Sequence, residues 1–395
     1  MRTSSVWMNW IQSMENCDHI VVLGSTLTAL AIIRAAKTLG LNCTLVDTRR
    51  GIAFDSRHPT PIYCPSATDE DLLQQLKNVA SKGKTALIAE NDAWLRFIVR
   101  HRPALQSMFA SILHPNSRSI ELCLDKSQFL DWCKDNGFTA PRHYELEGVT
   151  RLIPSEEAPL LLRPETTRHD LGKSIPKAIE VKSRAELDRW LAHYAAAGVL
   201  PSVAESLLRP NIRQYSVGLA REFGGRIRSM VGEKLRSYPE QCAGGTYVIL
   251  SAQDDVLSLA VRAIEALDYF GIAEVEILRD HRTGECFLIE INARPWVQLG
   301  LAQKAGLDFL GFVLGRADTQ VGMAVTPRPL RWLNFEADVY GCLSRDTGAV
   351  WRGRLTLGDY LRSVFAANVF AIWDATDPQP FFRSAWHMLR RRVTR

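Results

Sequence analysis

Two apolar runs in the last third of the chain carry charged side chains, and this pairing constrains the fold more than any other feature. The runs are Val275-Glu276-Ile277 and Phe287-Leu288-Ile289-Glu290-Ile291-Asn292-Ala293-Arg294-Pro295. Strand side chains alternate between two faces, so residues 290, 292 and 294 are predicted to share one face. Glu276 joins them if the runs pair through a turn at 280–284. Burying these charges costs several kcal/mol each unless they are neutralised, which predicts a hard cation such as Mg²⁺ carrying a nucleotide phosphate.

The composition is that of an ordinary globular protein. At 395 residues the chain is too long for one core, so two or three domains are expected. The net charge of +5 is modest, and no dense basic face with interleaved aromatic residues is apparent. We therefore expect no nucleic-acid partner. No run approaches the ~18 apolar residues that a membrane span needs, so no integral membrane segment is expected.

The cysteines and the N-terminal residues indicate the cellular compartment in which the protein is expected. The eight cysteines are scattered and form no C-x-x-C pair, which argues against a zinc site or a disulfide framework. Residues 1–17 lack the basic region followed by an apolar core that a signal peptide requires. Together these features favour the reducing environment of the cytoplasm.

Alternating strand and helix patterns open the chain. A strand at 19–24, a helix at 28–39 and a strand at 43–47 form a βαβ unit, and residues 69–89 repeat the alternation. A small doubly wound, Rossmann-like α/β domain is therefore predicted for residues 19–122. Its first turn has Gly24 but lacks the other two glycines of a dinucleotide fingerprint, although Asp47 stands where a ribose-binding acid would be expected. A NAD(P)-dependent oxidoreductase stays open as an alternative.

Residues 123–315 mix helices and strands in an α+β order. Asp125 is predicted to cap a helix that ends near Gly137, and Ser183 a second helix at 184–198. Strands are predicted at 159–164, 177–181, 202–208, 214–220 and 226–235. A helix at 255–270 leads into the two carboxylate runs, and the chain is helical again to about residue 315. Residues 316–395 show mixed signals and no motif.

This order of parts resembles the ATP-grasp superfamily, whose members activate a carboxylate as an acyl phosphate and join it to a nucleophile. The resemblance covers about residues 19–315 and is nearest to carboxylate–amine ligases related to D-aspartate ligase, with biotin carboxylase and carbamoyl-phosphate synthetase more distant. Residues 234–239 and 373–378 look like features of that branch. The resemblance implies four parts: a tail (1–18), a pre-ATP-grasp α/β domain (19–122), a two-lobed ATP-grasp domain (123–315) and a small C-terminal α/β extension (316–395).

The resemblance implies three cations for the ATP phosphates. Lys126 matches a basic residue at a helix start, although a solvated lysine is the alternative. Arg163 stands where the family usually has lysine in a V-x-x-K-P-like strand. Arginine keeps the positive charge, and its planar guanidinium can donate two parallel hydrogen bonds to phosphate oxygens. Lys177 matches a second lysine, after a phosphate-covering loop that is glycine-poor here.

The resemblance also implies an adenine-binding hinge. Glu205 resembles the hinge acid, with the backbone of Ser206 and Leu208 placed for the adenine edge. A surface glutamate at a strand end is the alternative. Many relatives carry an acid for the ribose hydroxyls shortly after the hinge, and here that contact is absent or made by Gln214.

The remaining roles fall on the central strands. Lys234 is implied to face the γ-phosphate and Arg236 to meet the substrate carboxylate, while Arg294 would stabilise the acyl-phosphate transition state. The loops at 165–176 and 237–245 are candidate lids. For the two runs at 275–277 and 287–295, the alternative to a metal site is an exposed hairpin whose charged side chains are solvated. The implied metal ligands are Glu276, Glu290 and Asn292.

The sequence therefore predicts an ATP- and Mg²⁺-dependent ligase that joins a small-molecule carboxylate to an amine. One or two Mg²⁺ ions are implied, with Mn²⁺ as the alternative metal. A non-catalytic nucleotide-binding protein on the same fold also stays open, because of Arg163 and the missing ribose acid. Residues 316–395 could shape the substrate pocket or a homodimer contact. The basic end at 386–395 is either a solvated helix end or a peripheral membrane attachment.

Overall fold

The structure is a computed structural model that describes residues 17–80, 84–149, 151–165, 175–238, 244–316, 329–345 and 348–393. Most of both predicted lid loops lies outside these described residues, as does Cys242. The predicted tail also lies outside them except for residues 17 and 18. The seven other cysteines are free thiols.

The N-terminal part of the chain folds around a five-stranded parallel sheet. The strands are β1 (His19–Leu23), β2 (Asn42–Asp47), β3 (Thr60–Tyr63), β4 (Thr85–Ala89) and β5 (Ser111–Ile112). They lie in the order β3-β2-β1-β4-β5, which confirms the predicted doubly wound α/β class. The accompanying helices are α1 (Leu27–Thr38), a 3-10 turn (Ile52–Asp55), α2 (Asp69–Ala80), α3 (Asp92–Met108) and α4 (Ser117–Leu124).

A four-stranded antiparallel sheet follows and encloses a small core of its own. The strands are β6 (His143–Tyr144), β7 (Leu160–Pro164), β8 (Ile179–Val181) and β9 (Pro201–Glu205), in the order β6-β9-β7-β8. The helices are α5 (Lys126–Asp135), α6 (Leu146–Val149) and α7 (Arg184–Ala196). Two predicted strands are shorter than expected, since β8 begins at Ile179 and β9 ends at Glu205. Lys177, Ser206 and Leu208 therefore lie in connections.

The third sheet has seven strands and carries the two acidic runs. The strands are β10 (Ile212–Arg221), β11 (Ile227–Ser237), β12 (Gly245–Ser251), β13 (Gly271–Asp280), β14 (Cys286–Asn292), β15 (Arg331–Leu333) and β16 (Val369–Phe370). Their order is β14-β13-β10-β11-β12-β15-β16, and all neighbours are antiparallel except β15 and β16. The helices are α8 (Asp254–Ala266), α9 (Leu299–Lys304), α10 (Phe309–Val313), α11 (Phe335–Leu343), α12 (Leu357–Ala366) and α13 (Gln379–Val393).

The C-terminal residues are built into the rest of the molecule. Strands β15 and β16 continue the large sheet, and Trp332 of β15 packs in a core that it shares with helix α1. The Arg34 guanidinium of α1 lies 3.3 Å from the fully buried Asp377 carboxylate, within the stretch 373–378. Among the described residues, none of the helices combines the length and the apolar surface needed to cross a bilayer.

Close packing also fixes the centre of the large sheet. A Cβ added to Gly218 of β10 would lie 2.0 Å from the ring of the buried Trp296, so the indole requires glycine at this position. Trp296 begins the connection to helix α9. The segment after strand β14 is thereby held against the sheet, next to the acidic hairpin.

Candidate active site

The two acidic runs form the β13–β14 hairpin, with Glu276 opposite Glu290 as predicted. The hairpin turns at Gly284, whose φ is +78° and whose N–H donates to the Asp280 carbonyl at 2.8 Å. A β-bulge follows the Glu276–Glu290 pair, because Ile277 pairs with Leu288 and leaves Ile289 as the extra residue. The two carboxylates therefore stand on neighbouring strands at the same level.

The position of Arg294 differs from the prediction that residues 290, 292 and 294 share one strand face. Strand β14 ends at Asn292, so Arg294 lies beyond it. Its guanidinium still returns to the site, with Nη2 3.2 Å from Asn292 Oδ1 and Nε 2.7 Å from Asp92 Oδ1. Burial opposes the charge of Arg294, but Asp92 and the neighbouring acids outweigh it and raise the arginine pKa. Asp92 begins helix α3, so this ion pair joins the first domain to the hairpin.

Lys234 of β11 is buried between two carboxylates. Its Nζ lies 2.9 Å from Glu276 Oε1 and 3.6 Å from Glu274 Oε1, and the lysine side chain is 2% exposed. Burial would lower the pKa of Lys234, but the two glutamates outweigh it and raise that pKa. Glu274 was missed at the sequence level, although it stands two residues before Glu276 and therefore on the same strand face.

Glu276 is held in its charged form. Burial alone would favour the neutral acid, but the charges of Lys234 and Lys177 and the hydrogen bonds from Lys234 and Gln214 lower the pKa of Glu276 to about 2. The Gln214 side-chain amide donates to the second carboxylate oxygen of Glu276, Oε2, at 2.9 Å. The carboxylate is thus ionised at neutral pH.

A second group of charges gathers around Glu290. Arg163 of β7 reaches across from the small sheet, with Nη1 3.9 Å from Glu290 Oε2. Lys126, at the start of α5, lines a narrow pocket with Asp92, Glu290 and Asn292. Burial lowers the pKa of Lys126, and the charge of Glu290 opposes that effect. The predicted phosphate-binding cations therefore lie beside the predicted metal ligands.

The predicted hinge residues are occupied by local hydrogen bonds. Glu205 Oε1 accepts from the Arg142 N–H at 2.9 Å, and the buried Ser206 hydroxyl donates to Glu180 Oε1 at 2.5 Å. Leu208 faces a cavity of about 630 Å³. The Glu205 carboxylate and the Ser206 hydroxyl are thus engaged within the small sheet, and Leu207 and Leu208 are the hinge residues that line the cavity.

The 630 Å³ cavity runs from this hinge to the C-terminal residues. Its walls combine residues from the segment 207–214, the end of strand β11 and a C-terminal group made of Gly341, Cys342, Ala349, Arg352, Arg354 and Leu355. Lys234 and Arg236 also line it. The Arg236 guanidinium, however, forms a two-pronged ion pair with the fully buried Asp338, at 2.8 and 2.7 Å. The structure therefore gives Arg236 a partner inside the fold that the sequence did not reveal.

The residues of the acidic hairpin suit a magnesium ion that is shared with a phosphate ligand. Among the described residues, no three histidine, cysteine, aspartate or glutamate side chains form a group that could hold a metal by itself. Mg²⁺ is commonly held by one or two carboxylates while phosphates and waters complete its shell. Glu276 and Glu290 lie on paired strands, and the side-chain carbonyl of Asn292 belongs to the same hairpin. These three residues supply that donor set.

The first turn of the α/β domain is filled by protein side chains. Asp47 Oδ2 accepts from the Ser25 hydroxyl at 2.6 Å, while Oδ1 accepts from the Thr48 N–H at 2.7 Å. At Gly24, where φ is +104°, an added Cβ would lie 2.4 Å from Glu90 Oε1. The Asp47 carboxylate therefore closes the turn, which argues against the dinucleotide alternative.

Comparisons with known proteins address the fold. No protein-family model and no curated protein sequence matches the chain significantly. Among solved structures, the chain is similar to N5-carboxyaminoimidazole synthetase from Staphylococcus aureus, solved with ADP, at a TM-score of 0.62 and 14% identity, covering 80% of this chain and 81% of that one. It is also similar to the biotin carboxylase domain of Hydrogenobacter thermophilus 2-oxoglutarate carboxylase, solved with MgADP and bicarbonate (TM-score 0.60, 17% identity, 78% and 71% covered).

A third similar structure is the L-amino acid ligase from Bacillus licheniformis, with a TM-score of 0.59, 16% identity and 78% of each chain covered. At such identities these likenesses establish the fold. The chain has the ATP-grasp fold with an N-terminal α/β domain, which confirms the fold predicted from the sequence.

Proposed function

We propose that the chain is an ATP- and Mg²⁺-dependent ligase that activates a carboxylate as an acyl phosphate and joins it to an amine. The observation that carries the proposal is the β13–β14 hairpin, where Glu276 and Glu290 face each other, with the buried Lys234 and the partly buried Arg294 beside them. The similar structures support it, since they are named as a synthetase, a carboxylase and a ligase, and two were solved with ADP.

Each part of the nucleotide would meet a different set of residues. The adenine would lie in the 630 Å³ cavity beside the hinge at residues 206–208, of which Leu207 and Leu208 line the cavity. The metal ligands would be Glu276, Glu290 and Asn292, and a bound Mg²⁺ or Mn²⁺ would neutralise phosphate charge. The cations that would meet the phosphates are Lys126, Arg163, Lys177 and Lys234.

The reaction needs positioning and charge neutralisation more than covalent help from the protein. A carboxylate oxygen of the substrate attacks the γ-phosphorus, the bond to the β-phosphate oxygen breaks, and ADP leaves. The amine nitrogen then attacks the acyl carbon, inorganic phosphate leaves, and the amine gives up one proton. Arg294, fixed by Asp92 at 2.7 Å, would stabilise the negative charge of this transfer. Arg236 would orient the substrate carboxylate while it remains paired with Asp338.

A non-catalytic nucleotide-binding protein is the second candidate. The observation that favours it is the contact between Arg163 and Glu290, at 3.9 Å, because relatives usually carry lysine at this position. An arginine that binds the metal ligand would compete with the metal. Such a protein would bind Mg-ATP and release no phosphate with any carboxylate and amine.

The proposed setting is the cytoplasm. The seven described cysteines are free thiols, which supports a reducing compartment. The proposed partners are small-molecule carboxylates and amines, and a homodimer is proposed as the assembly. Gel filtration with light scattering would test the homodimer, and a monomer would exclude it.

The experiment that tests the activity is an incubation with Mg-ATP and a pooled library of carboxylates and amines. We expect phosphate release together with a new mass equal to one carboxylate plus one amine minus water. The variant Glu290→Gln should keep its fold and lose both signals, while Glu285→Gln, on the exposed hairpin turn, should keep them. Equal turnover by Glu290→Gln and the wild type would disprove the metal assignment.

A further inference from the structure

A second cavity, of about 500 Å³, lies between the N-terminal domain and the large sheet. It shares no lining residue with the 630 Å³ cavity. One wall comes from the end of helix α3 and strand β5, with Arg102, Phe109 and Ser111. The opposite wall comes from the end of β10 and the loop after α8, with Arg221, Phe223 and Phe270. Its volume is in the range of small-molecule binding pockets, about 300–1,000 Å³.

Among the described residues, no acid balances the charge of Arg102. Its guanidinium donates to the Pro115 carbonyl, and its Nε is buried without an acceptor. Within the described residues Arg102 has no ion pair, and burial lowers its pKa with no carboxylate opposing the effect. The other cavity arginine differs, because Arg221 Nη1 lies 2.8 Å from Asp268 Oδ1. A partly buried cation without a counter-ion is costly, so an anionic ligand would relieve the cost.

The remaining walls favour a flat apolar body attached to that anion. The rings of Phe223 and Phe270 stack on each other, with centroids 3.6 Å apart and 18° between their planes, and form one flat apolar wall; Phe109 is 5% exposed. The Ser111 hydroxyl is also buried and has no partner among the described residues. We propose that this cavity binds a small aromatic or otherwise planar organic anion, with its carboxylate or sulfonate held by Arg102.

The cavity adjoins the candidate active site through a single histidine. His114, in the cavity wall, accepts from the Ala89 N–H through Nε2 at 2.7 Å and donates through Nδ1 to the Ala293 carbonyl at 3.0 Å. Burial lowers the pKa of His114 to about 3, so the ring stays neutral and keeps both bonds. The wall is thereby joined to the residues before Asp92 and to the link between Asn292 and Arg294.

The test uses 8-anilinonaphthalene-1-sulfonate, an aromatic anion that fluoresces when it leaves water. We expect saturable binding that persists in excess Mg-ADP, because the two cavities are separate, and that is reversed by benzoate. The variant Arg102→Met should weaken binding by about tenfold or more, since a charge-assisted hydrogen bond is lost. The matched control is Arg100→Met, because Arg100 is 58% exposed on the same helix and should leave binding unchanged.

Ala110→Trp keeps Arg102 but fills the cavity, so it should abolish binding of the probe. If Arg102→Met does not fold, this second variant tests whether the probe binds in the cavity. Circular dichroism and thermal melting would establish that each variant is folded. The proposal is overturned if the wild type shows no saturable binding, if Mg-ADP displaces the probe, or if Arg102→Met or Ala110→Trp binds like the wild type.

Discussion

Removing the charge of Glu276 is predicted to destabilise the fold in a way that depends on pH. Glu276 accepts hydrogen bonds from Lys234 at 2.9 Å and from Gln214 at 2.9 Å, and its side chain is 17% exposed. Glu276→Gln keeps the size of the side chain and removes its charge. Lys234 is then left buried with Glu274, 3.6 Å away, as its nearest counter-ion.

The magnitude follows from the pKa of Glu276. Its folded value of about 2, against an ordinary 4.5, corresponds to about 3 kcal/mol of stabilisation at neutral pH, since one pKa unit is worth ~1.36 kcal/mol. The folded pKa is depressed, so the stabilisation is complete above pH 4.5 and is lost as the pH falls towards 2. At about pH 3.5 roughly 2 kcal/mol should remain.

Urea unfolding at about pH 7 and about pH 3.5 measures this effect. The difference in unfolding free energy between the wild type and Glu276→Gln should be about 3 kcal/mol at the higher pH and should shrink at the lower one. Glu285→Gln is the matched control and should change the free energy by less than about 0.5 kcal/mol, because it is exposed. A difference that is the same at both pH values would show that the charge of Glu276 is not the source of this stability.

Three further variants test single contacts. Asp92→Asn should lower the free energy of unfolding by about 2 kcal/mol in urea titrations and reduce amide formation, since it removes the charge-assisted hydrogen bond to the partly buried Arg294; unchanged stability would contradict this. Gly24→Ala should lower the melting temperature more than Gly284→Ala, because both have positive φ but an added Cβ meets other atoms only at residue 24. Arg236→Lys should lower the melting temperature because the two-pronged pair with Asp338 is lost, whereas a change confined to the KM of the carboxylate would show that Arg236 serves the substrate alone.

The hairpin could be predicted because the residues that define its strands and its turn are close together in the sequence. Alternation along each run gives the strands, and the turn at 280–284 brings Glu276 opposite Glu290. The bulge after Glu276 was not predictable, since apolar residues at 287–289 fit either register. The end of the strand at Asn292, and with it the location of Arg294, also differ from the prediction.

Contacts between residues far apart in the chain could not be predicted from the sequence pattern. Asp92 reads as an ordinary residue at a helix start, yet it pairs with Arg294, 202 residues away. Arg236 reads as a free cation on a strand, yet it is held by Asp338, 102 residues away. Such pairs depend on how the domains pack, and periodicity within one element carries no information about that packing.

In the proposed reaction, a carboxylate oxygen of the substrate attacks the γ-phosphorus of ATP beside Glu276 and Glu290. With the carboxylate identified by the library experiment and enriched in ¹⁸O, the phosphate released during amide formation can be analysed by mass spectrometry. We expect ADP together with phosphate that carries one ¹⁸O atom from the carboxylate. Unlabelled phosphate, or AMP with pyrophosphate, would contradict it.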